Sequence, residues 1–236
     1  MYSMLTSELL QQHGVWRGGQ PGIFSRTIPT GYGELGRELP GGGWPAGALT
    51  ELLGLQEGIG ELQLVLPAVA KLTQAGKRVV WLAPPHIPYA PALAAAGVDL
   101  VHLAVIRAPG RRDALWAAEQ VLRAGPCHAL LAWFRHARYD ELRRLAVAAE
   151  ASNAFVALFR PSNAAHETSP ASLRILLEGE SDGLRLNILK RRGRPAEAPI
   201  HLPVTRPVHA LGRPAIPRTP ARDARAPRRL GLPVHA

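Results

Sequence analysis

Short, almost wholly apolar runs alternate with amphipathic stretches along the middle of the chain. Four of these runs have the length of strands: 78–83, 101–106, 129–134 and 154–159. Helical periodicity occurs between them, at 89–96, 112–124 and 139–151. Runs that are apolar on both faces are typical of central strands in a parallel sheet. The pattern therefore predicts repeated strand–helix units joined by right-handed crossovers.

The pattern changes after residue 159. A polar loop at 160–170 is followed by two runs with alternating polarity, 173–178 and 184–189, separated by turn residues at 181–183. Alternation with a period of two around an Asp-Gly turn predicts an antiparallel hairpin. The expected fold class is α/β, with a parallel sheet flanked by helices and ending in an antiparallel hairpin.

The net charge of +10 is concentrated near the C-terminus. Residues 191–236 contain ten arginines and two acids, so this segment carries +8 and the rest of the chain only +2. Prolines are frequent here and the aliphatic residues follow no period, which predicts a disordered basic tail. We divide the chain into an N-terminal arm (1–29), a core (30–194) and a Pro/Arg-rich tail (195–236).

Composition excludes several classes of protein. No apolar run reaches the ~20 residues of a membrane helix, and the N-terminus lacks the pattern of a signal peptide. The single cysteine, Cys127, cannot form an intramolecular disulfide and argues against a structural zinc site. We expect a cytoplasmic protein with no membrane partner.

Residues 52–72 have the outline of a strand, a glycine-rich turn and an amphipathic helix. A nucleotide-binding P-loop has this outline and the pattern G-x-x-x-x-G-K-[ST]. Counting from Gly54, Ile59 occupies the second glycine position, Gly60 the lysine position and Glu61 the hydroxyl position. Counting so that Gly60 is the second glycine puts Glu61 at the lysine position, so neither alignment supplies the phosphate-binding groups.

The charge of the turn also argues against phosphate binding. A carboxylate about 4 Å from a phosphate charge costs roughly 4 kcal/mol at an effective dielectric near 20. Glu57 and Glu61 both lie in or beside this turn. Gly54, Gly58, Gly60 and Glu61 therefore form a degenerate loop, and we expect no cofactor. An ordinary strand followed by a glycine-rich turn is the simpler interpretation of these residues alone.

Other candidate chemistry is weak. Cys127 and His128 are adjacent, so on a strand their side chains point to opposite faces and cannot form a joint site with His136. We predict no metal site and no catalytic residues.

Several segments of the core resemble known proteins. Residues 39–54, 75–82 and 95–100 resemble the core of RecA recombinases, and more closely the ImuA proteins, RecA-like members of bacterial mutagenesis cassettes that are related to SulA cell-division inhibitors. Residues 122–133 and 153–161 carry the resemblance further. It covers roughly residues 30–194, which implies a RecA-like core.

The resemblance also implies which positions would be catalytic. In RecA proteins an acid at the end of the fourth core strand holds magnesium, and the resemblance places Trp133 at that position. The RecA glutamate that orients the attacking water follows the second core strand, and its position falls near Pro84 and Pro85. Phosphoryl transfer depends on positioning and charge compensation, and the compensating groups are missing. We therefore expect a protein that is not an enzyme.

Two basic segments are candidates for DNA or partner contact. Clustered arginines bind phosphates without sequence preference; a solvated strand end and a peptide that orders on a partner are the alternatives. The candidate residues are Lys190, Arg191, Arg192, Arg194, Arg228 and Arg229.

By resemblance to ImuA, the function would be that of a non-catalytic accessory factor in SOS-induced translesion DNA synthesis. Its implied partners are an inactive Y-family polymerase-like protein and an error-prone replicative-type DNA polymerase, with RecA and DNA as further candidates. A SulA-like inhibitor of cell division is the alternative. An active DNA-dependent ATPase is a third hypothesis, which the degenerate loop opposes.

Overall fold

The computed structural model of the protein describes residues 26–204. The strands are β1 (Thr27–Pro29), β2 (Gly43–Pro45), β3 (Ala48–Gly54), β4 (Arg78–Leu82), β5 (Leu103–Ile106), β6 (Cys127–Trp133), β7 (Phe155–Pro161), β8 (Leu173–Gly179), β9 (Gly183–Lys190) and β10 (Ile200–Pro203). The helices are α1 (Gly33–Glu38), α2 (Glu61–Gln74), α3 (Ala90–Ala95), α4 (Arg111–Arg123) and α5 (Tyr139–Ser152). Short 3-10 turns lie at Pro40–Gly42, Leu100–His102 and Ser162–His166.

A mostly parallel eight-stranded sheet organises the described residues. Its strand order is β10-β9-β8-β3-β7-β6-β4-β5. The pairs from β8 to β5 are parallel, whereas β9 is antiparallel to both β8 and β10. This confirms the predicted α/β class, the parallel sheet flanked by helices and the terminal hairpin.

Helices cover both faces of the sheet. The apolar residues of α2 pack on one face together with Leu93 of α3. The apolar residues of α4 and α5 pack on the other face. Because β3 and β7 lie at the centre, nearly all their side chains are buried, which explains their continuous apolar sequence.

One predicted central strand has a different position. The run 101–106 begins with the turn Leu100–His102, and only β5 is extended. Strand β5 lies at the sheet edge, where Ala104 and Val105 are exposed. A run of apolar residues predicts a strand, but it does not predict whether that strand lies at the centre or at the edge of the sheet.

The predicted arm and tail boundaries need correction. Thr27–Pro29 pairs with β2 rather than belonging to the arm, and Ile200–Pro203 pairs with β9 as an additional strand of the main sheet. In β10, Ile200 and Leu202 are buried, so the segment follows the period of two expected of an edge strand. Sequence analysis missed it because the pattern is short and ends at a proline.

The rest of both terminal segments lies outside the described residues. This includes residues 1–25 and 205–236, and with them the candidate contacts Arg228 and Arg229. Across residues 26–204, none of the helices is long and apolar enough to cross a membrane.

Candidate functional site at the carboxyl edge of the sheet

The glycine-rich turn lies between the end of β3 and the start of α2. Gly58 and Gly60 both adopt left-handed backbone conformations, with φ of 82° and 103°. The Glu61 carboxylate accepts a hydrogen bond from the backbone N–H of Gly58 at 3.0 Å and another from Gly60 at 3.1 Å. The turn therefore binds a negative group, and that group is the protein's own side chain.

This contact changes what the turn can bind. In a working P-loop, successive backbone N–H groups surround the phosphates. Here Glu61 accepts hydrogen bonds from two such donors and also places a negative charge beside the loop. A nucleotide phosphate would have to displace this carboxylate and would meet its charge.

Glu57 forms a second set of contacts above the sheet edge. Its carboxylate lies 2.9 Å from the guanidinium of Arg135 and 3.6 Å from Nε2 of His86. The side chains of Arg135 and His86 are each 81% exposed, so these pairs contribute little to stability. The three residues belong to the loops after β3, β4 and β6, which are therefore neighbours at this edge.

Aromatic side chains occupy the ends of β4, β6 and β7. The ring of Trp133 stacks on Phe159 with centroids 4.6 Å apart, and its centroid lies 5.7 Å from that of Trp81. Trp133 ends β6, where the resemblance to RecA implies a magnesium-holding acid. An apolar stack at this place offers no ligand for a metal ion.

The other implied catalytic position is equally changed. Pro84 and Pro85 directly follow β4 and Ala83, and neither carries a side chain that can orient a water molecule. The positions that the resemblance marks as catalytic therefore hold Gly60, Glu61, Trp133 and prolines.

Sequence analysis missed a buried ionic cluster at the centre of the sheet. Glu51 of β3 is fully buried and pairs with two arginines, Arg160 of β7 at 2.8 Å and Arg174 of β8 at 2.6 Å. Arg160 also pairs with Glu167 at 2.7 Å. The available signal was a charged residue in or beside each of three apolar runs.

The cluster is closed by the turn Ser162–His166. Arg174 donates to the backbone oxygen of Ala164 at 2.6 Å, and Arg160 donates to that of Ala137 at 3.3 Å. The two guanidiniums face two carboxylates, of which Glu51 is buried and Glu167 is half-exposed, so the buried charges are compensated. We assign this cluster to structural specificity, since it joins three neighbouring strands and a loop.

The predicted basic contact residues divide into two groups. The ammonium of Lys190 donates to the backbone oxygen of Ser169 at 3.0 Å, and burial lowers its pKa, with the charge of Arg174 acting in the same direction and that of Glu51 opposing it. Arg191 donates to the backbone oxygen of Glu38 and pairs with its carboxylate at 2.7 Å. These two side chains join the end of β9 to other parts of the core.

The remaining described residues of the basic run lie at the surface. Arg194 is 80% exposed and pairs with Glu197 at 3.0 Å, while Arg192 is also exposed. The run therefore presents fewer cations to a partner than its sequence indicates. Direct DNA contact by these residues stays a prediction.

Two further groups of titratable residues lie on β6 and beside β10. Cys127 is buried, and burial raises the pKa of its thiol to about 12, while His128 is half-buried, consistent with opposite faces of β6. A cluster not noted in the sequence joins the β8–β9 turn to β10: His201 Nδ1 lies 2.6 Å from Glu180, and its Nε2 lies 3.5 Å from Asp182. These are the contacts of a histidine held between two carboxylates.

Comparisons with known proteins cover the central part of the chain. Residues 47–156 match the family model described as Cell division inhibitor SulA. This stretch resembles SulA. The match takes in β3 to β6, α2 to α5 and the start of β7, slightly less than half of the chain.

A second similarity is to RecA. Over 98 residues the chain is 33% identical to Protein RecA of Picosynechococcus sp. (strain ATCC 27264 / PCC 7002 / PR-6). The similarity covers 42% of this chain and only 28% of that RecA protein. Among solved structures, the crystal structure of SulA from Pseudomonas aeruginosa is 24% identical with a TM-score of 0.42, covering 50% of this chain and 99% of that one.

Proposed function

We propose that the protein is a non-catalytic, RecA-like accessory factor of SOS-induced translesion DNA synthesis and a member of the ImuA group. The observation that carries the non-catalytic part is the contact of Glu61 with the loop amides of Gly58 and Gly60. With its own carboxylate hydrogen-bonded to these amides, the protein would act by binding partners rather than by hydrolysing ATP.

Three features support a RecA-like origin. The glycine-rich turn lies at the carboxyl end of a central parallel strand and precedes helix α2, as in nucleotide-binding α/β proteins. The similarity to a RecA protein extends over 98 residues. Strands β8, β9 and β10 lie beyond the stretch that matches SulA, so the SulA-like part does not account for the whole sheet.

The proposed partners are a Y-family polymerase-like protein and an error-prone replicative-type DNA polymerase, with RecA and DNA as further partners. The fold without a nucleotide switch would serve as a constitutive platform for such an assembly. The excess positive charge beyond residue 190 would add non-specific contact with DNA.

A second function is supported by a specific observation. The family model that matches residues 47–156 is that of the SulA cell-division inhibitors. Under this alternative, the protein binds the tubulin-like division protein and stops septation after DNA damage. The segment that follows residue 156 and the basic terminal region are the parts of the chain that this alternative leaves without a role.

Damage-induced mutation frequency distinguishes the two functions. In a strain that lacks the gene, we expect mutagenesis to fall and to be restored by the wild-type chain. A chain with both Gly60→Lys and Glu61→Thr should give no more mutagenesis than wild type, because the acid and glutamate positions remain empty. If deletion leaves mutagenesis unchanged and overexpression makes undamaged cells filament, the SulA-like function replaces the translesion function.

A further inference from the structure

A groove opens at the carboxyl ends of β4 and β5. It has a volume of about 360 Å³ and is lined by Ala83, Pro84, Pro85, His86, Ile87, Arg107 and Ala108. Ala83 has a left-handed φ of 52°, which is uncommon for a residue with a Cβ, and its N–H donates to the backbone oxygen of Ile106 at 2.8 Å. This bend turns the chain away from the sheet and forms one wall of the groove.

The groove adjoins a point where the chain changes direction. After β4 the chain leads to α3, whose Leu93 packs on one face of the sheet. After the neighbouring β5 it leads to α4, whose Leu115 packs on the other face. Loops that diverge from adjacent parallel strands leave a crevice, which is the usual ligand site of open α/β sheets.

Apolar side chains are unusually exposed around this groove. Ile87, in its wall, is 76% exposed, and Tyr89 on the same loop is 71% exposed. Leu55, on the loop that contacts His86 through Glu57, is 65% exposed. Exposed apolar residues grouped on neighbouring loops indicate an interaction surface.

The same loops are strongly basic. Segments 55–60, 83–89, 107–112 and 134–138 contain five arginines and a single acid, Glu57, although Arg111 also pairs at 2.7 Å with Glu141, which lies outside these segments. Glu57 is already paired with Arg135. Within residues 26–204, no carboxylate lies within 4.0 Å of the guanidinium of Arg107, which lines the groove. This surface therefore favours a ligand that carries negative charge as well as an apolar group.

We propose that the groove docks an acidic segment of a partner protein, with an aliphatic or aromatic side chain of that segment inserted against Pro84, Pro85 and Ile87. Flanking Asp or Glu side chains pair with Arg107, while Arg111 and Arg135 on the adjoining loops already pair with Glu141 and Glu57. The proposal rests on the proposed function in one respect only, that the protein acts by binding other proteins. Aliphatic walls favour a peptide anchor over a nucleic-acid base, which stacks on flat aromatic rings.

Selection from a phage-displayed library of random dodecapeptides on the full chain tests the proposal. We expect the enriched peptides to contain a Leu, Ile, Phe or Trp flanked by at least two acidic residues. Binding of a synthetic enriched peptide, followed by fluorescence anisotropy, should weaken about tenfold or more in Arg107→Glu and in Ile87→Asp, as for central interface residues. Arg107→Ala serves as a milder second variant, and thermal unfolding shows that each variant is folded.

Matched control variants lie at the opposite ends of the same strands. Arg78→Glu reverses an exposed charge at the start of β4, and Val101→Asp places a charge at a residue that is 87% exposed just before β5. Both should bind the peptide within about twofold of wild type, since surface changes away from the contact have small effects.

Three outcomes would overturn the proposal: no enrichment, enriched peptides without acidic residues, or equal binding by folded groove and control variants. If the wild-type chain binds a fifteen-nucleotide oligo-dT and both Arg107→Glu and Ile87→Asp abolish this binding, the groove is assigned to nucleic acid instead. Failure of this test leaves the mutation-frequency test of the proposed function unaffected. Conversely, peptide binding together with unchanged mutagenesis would reject the translesion function alone.

Discussion

The side-chain carboxylate of Glu61 accepts a hydrogen bond of 3.0 Å from the backbone N–H of Gly58, three residues before it in the chain. In a P-loop this donor would point to a nucleotide phosphate. The contact is local, because Glu61 is the first residue of α2 and directly follows the turn.

The first prediction is that ATP does not bind at this turn. Millimolar ATP with magnesium should change the thermal unfolding midpoint by less than about 1 °C, because stabilisation follows RT ln(1 + [L]/Kd) and Kd is far above the ligand concentration. Differential scanning fluorimetry with magnesium alone as the control measures this. A shift of several degrees, or ATP turnover above a buffer blank, would contradict it.

The second prediction concerns the buried ionic cluster. Replacing Glu51 by Gln keeps its size but leaves two buried guanidiniums, those of Arg160 and Arg174, without their shared counter-charge. We expect the free energy of unfolding to fall by about 3–5 kcal/mol, the cost of breaking a buried ion pair by removing one partner. Urea denaturation followed by circular dichroism gives the value.

A surface pair provides the control for that measurement. Glu197 is 83% exposed and pairs with Arg194 at 3.0 Å. Glu197→Gln should change the free energy of unfolding by less than about 1 kcal/mol, because solvent screens exposed pairs. Equal effects of the two substitutions would show that the cluster around Glu51 does not stabilise the fold.

The third prediction is that the terminal basic region supplies electrostatic DNA affinity. A chain ending at Val204 retains β10 but lacks seven arginines. Its binding to single-stranded DNA should be weaker, and log K should fall less steeply with log salt, because each neutralised phosphate contributes a slope of roughly −0.7. Binding isotherms at several salt concentrations give this slope for the full chain and for the chain ending at Val204. Equal slopes for the two chains would refute the prediction.

The fourth prediction is that Cys127 reacts slowly with thiol reagents in the native protein. Burial raises the pKa of its thiol to about 12, so at pH 8 it is almost entirely protonated. Only the thiolate reacts, and its fraction is about a thousandfold lower than for a thiol with an ordinary pKa near 8.5. Raising the pH towards 12 increases the thiolate fraction, so the rate should rise with pH across this range.

Ellman's reagent measures this reaction directly. In native buffer at pH 8 the thiol should react far more slowly than in guanidinium chloride, where the chain is unfolded and the pKa returns to its usual range. A native rate within about tenfold of the denatured rate would mean that the thiol is accessible.

Much of the central fold followed from the sequence. The runs that became β4, β6 and β7 are apolar on both faces, and only a strand covered by helices on both sides can bury such a run. The hairpin of β8 and β9 followed in the same way from its period of two and its Asp-Gly turn. These signals lie within single segments, so they can be recognised without knowing which strands are adjacent in the sheet.

The sequence by itself also determined that the glycine-rich turn lacks a phosphate-binding lysine, because residue type at Gly60 and Glu61 is enough for that conclusion. What the tertiary structure decided is where charged side chains are used. Lys190 and Arg191 look like a free basic surface in sequence, yet they contact Ser169 and Glu38. Glu51 meets Arg174 only because β3 and β8, more than a hundred residues apart, are neighbours in the sheet. Contacts of this kind depend on strand order, which local periodicity does not encode.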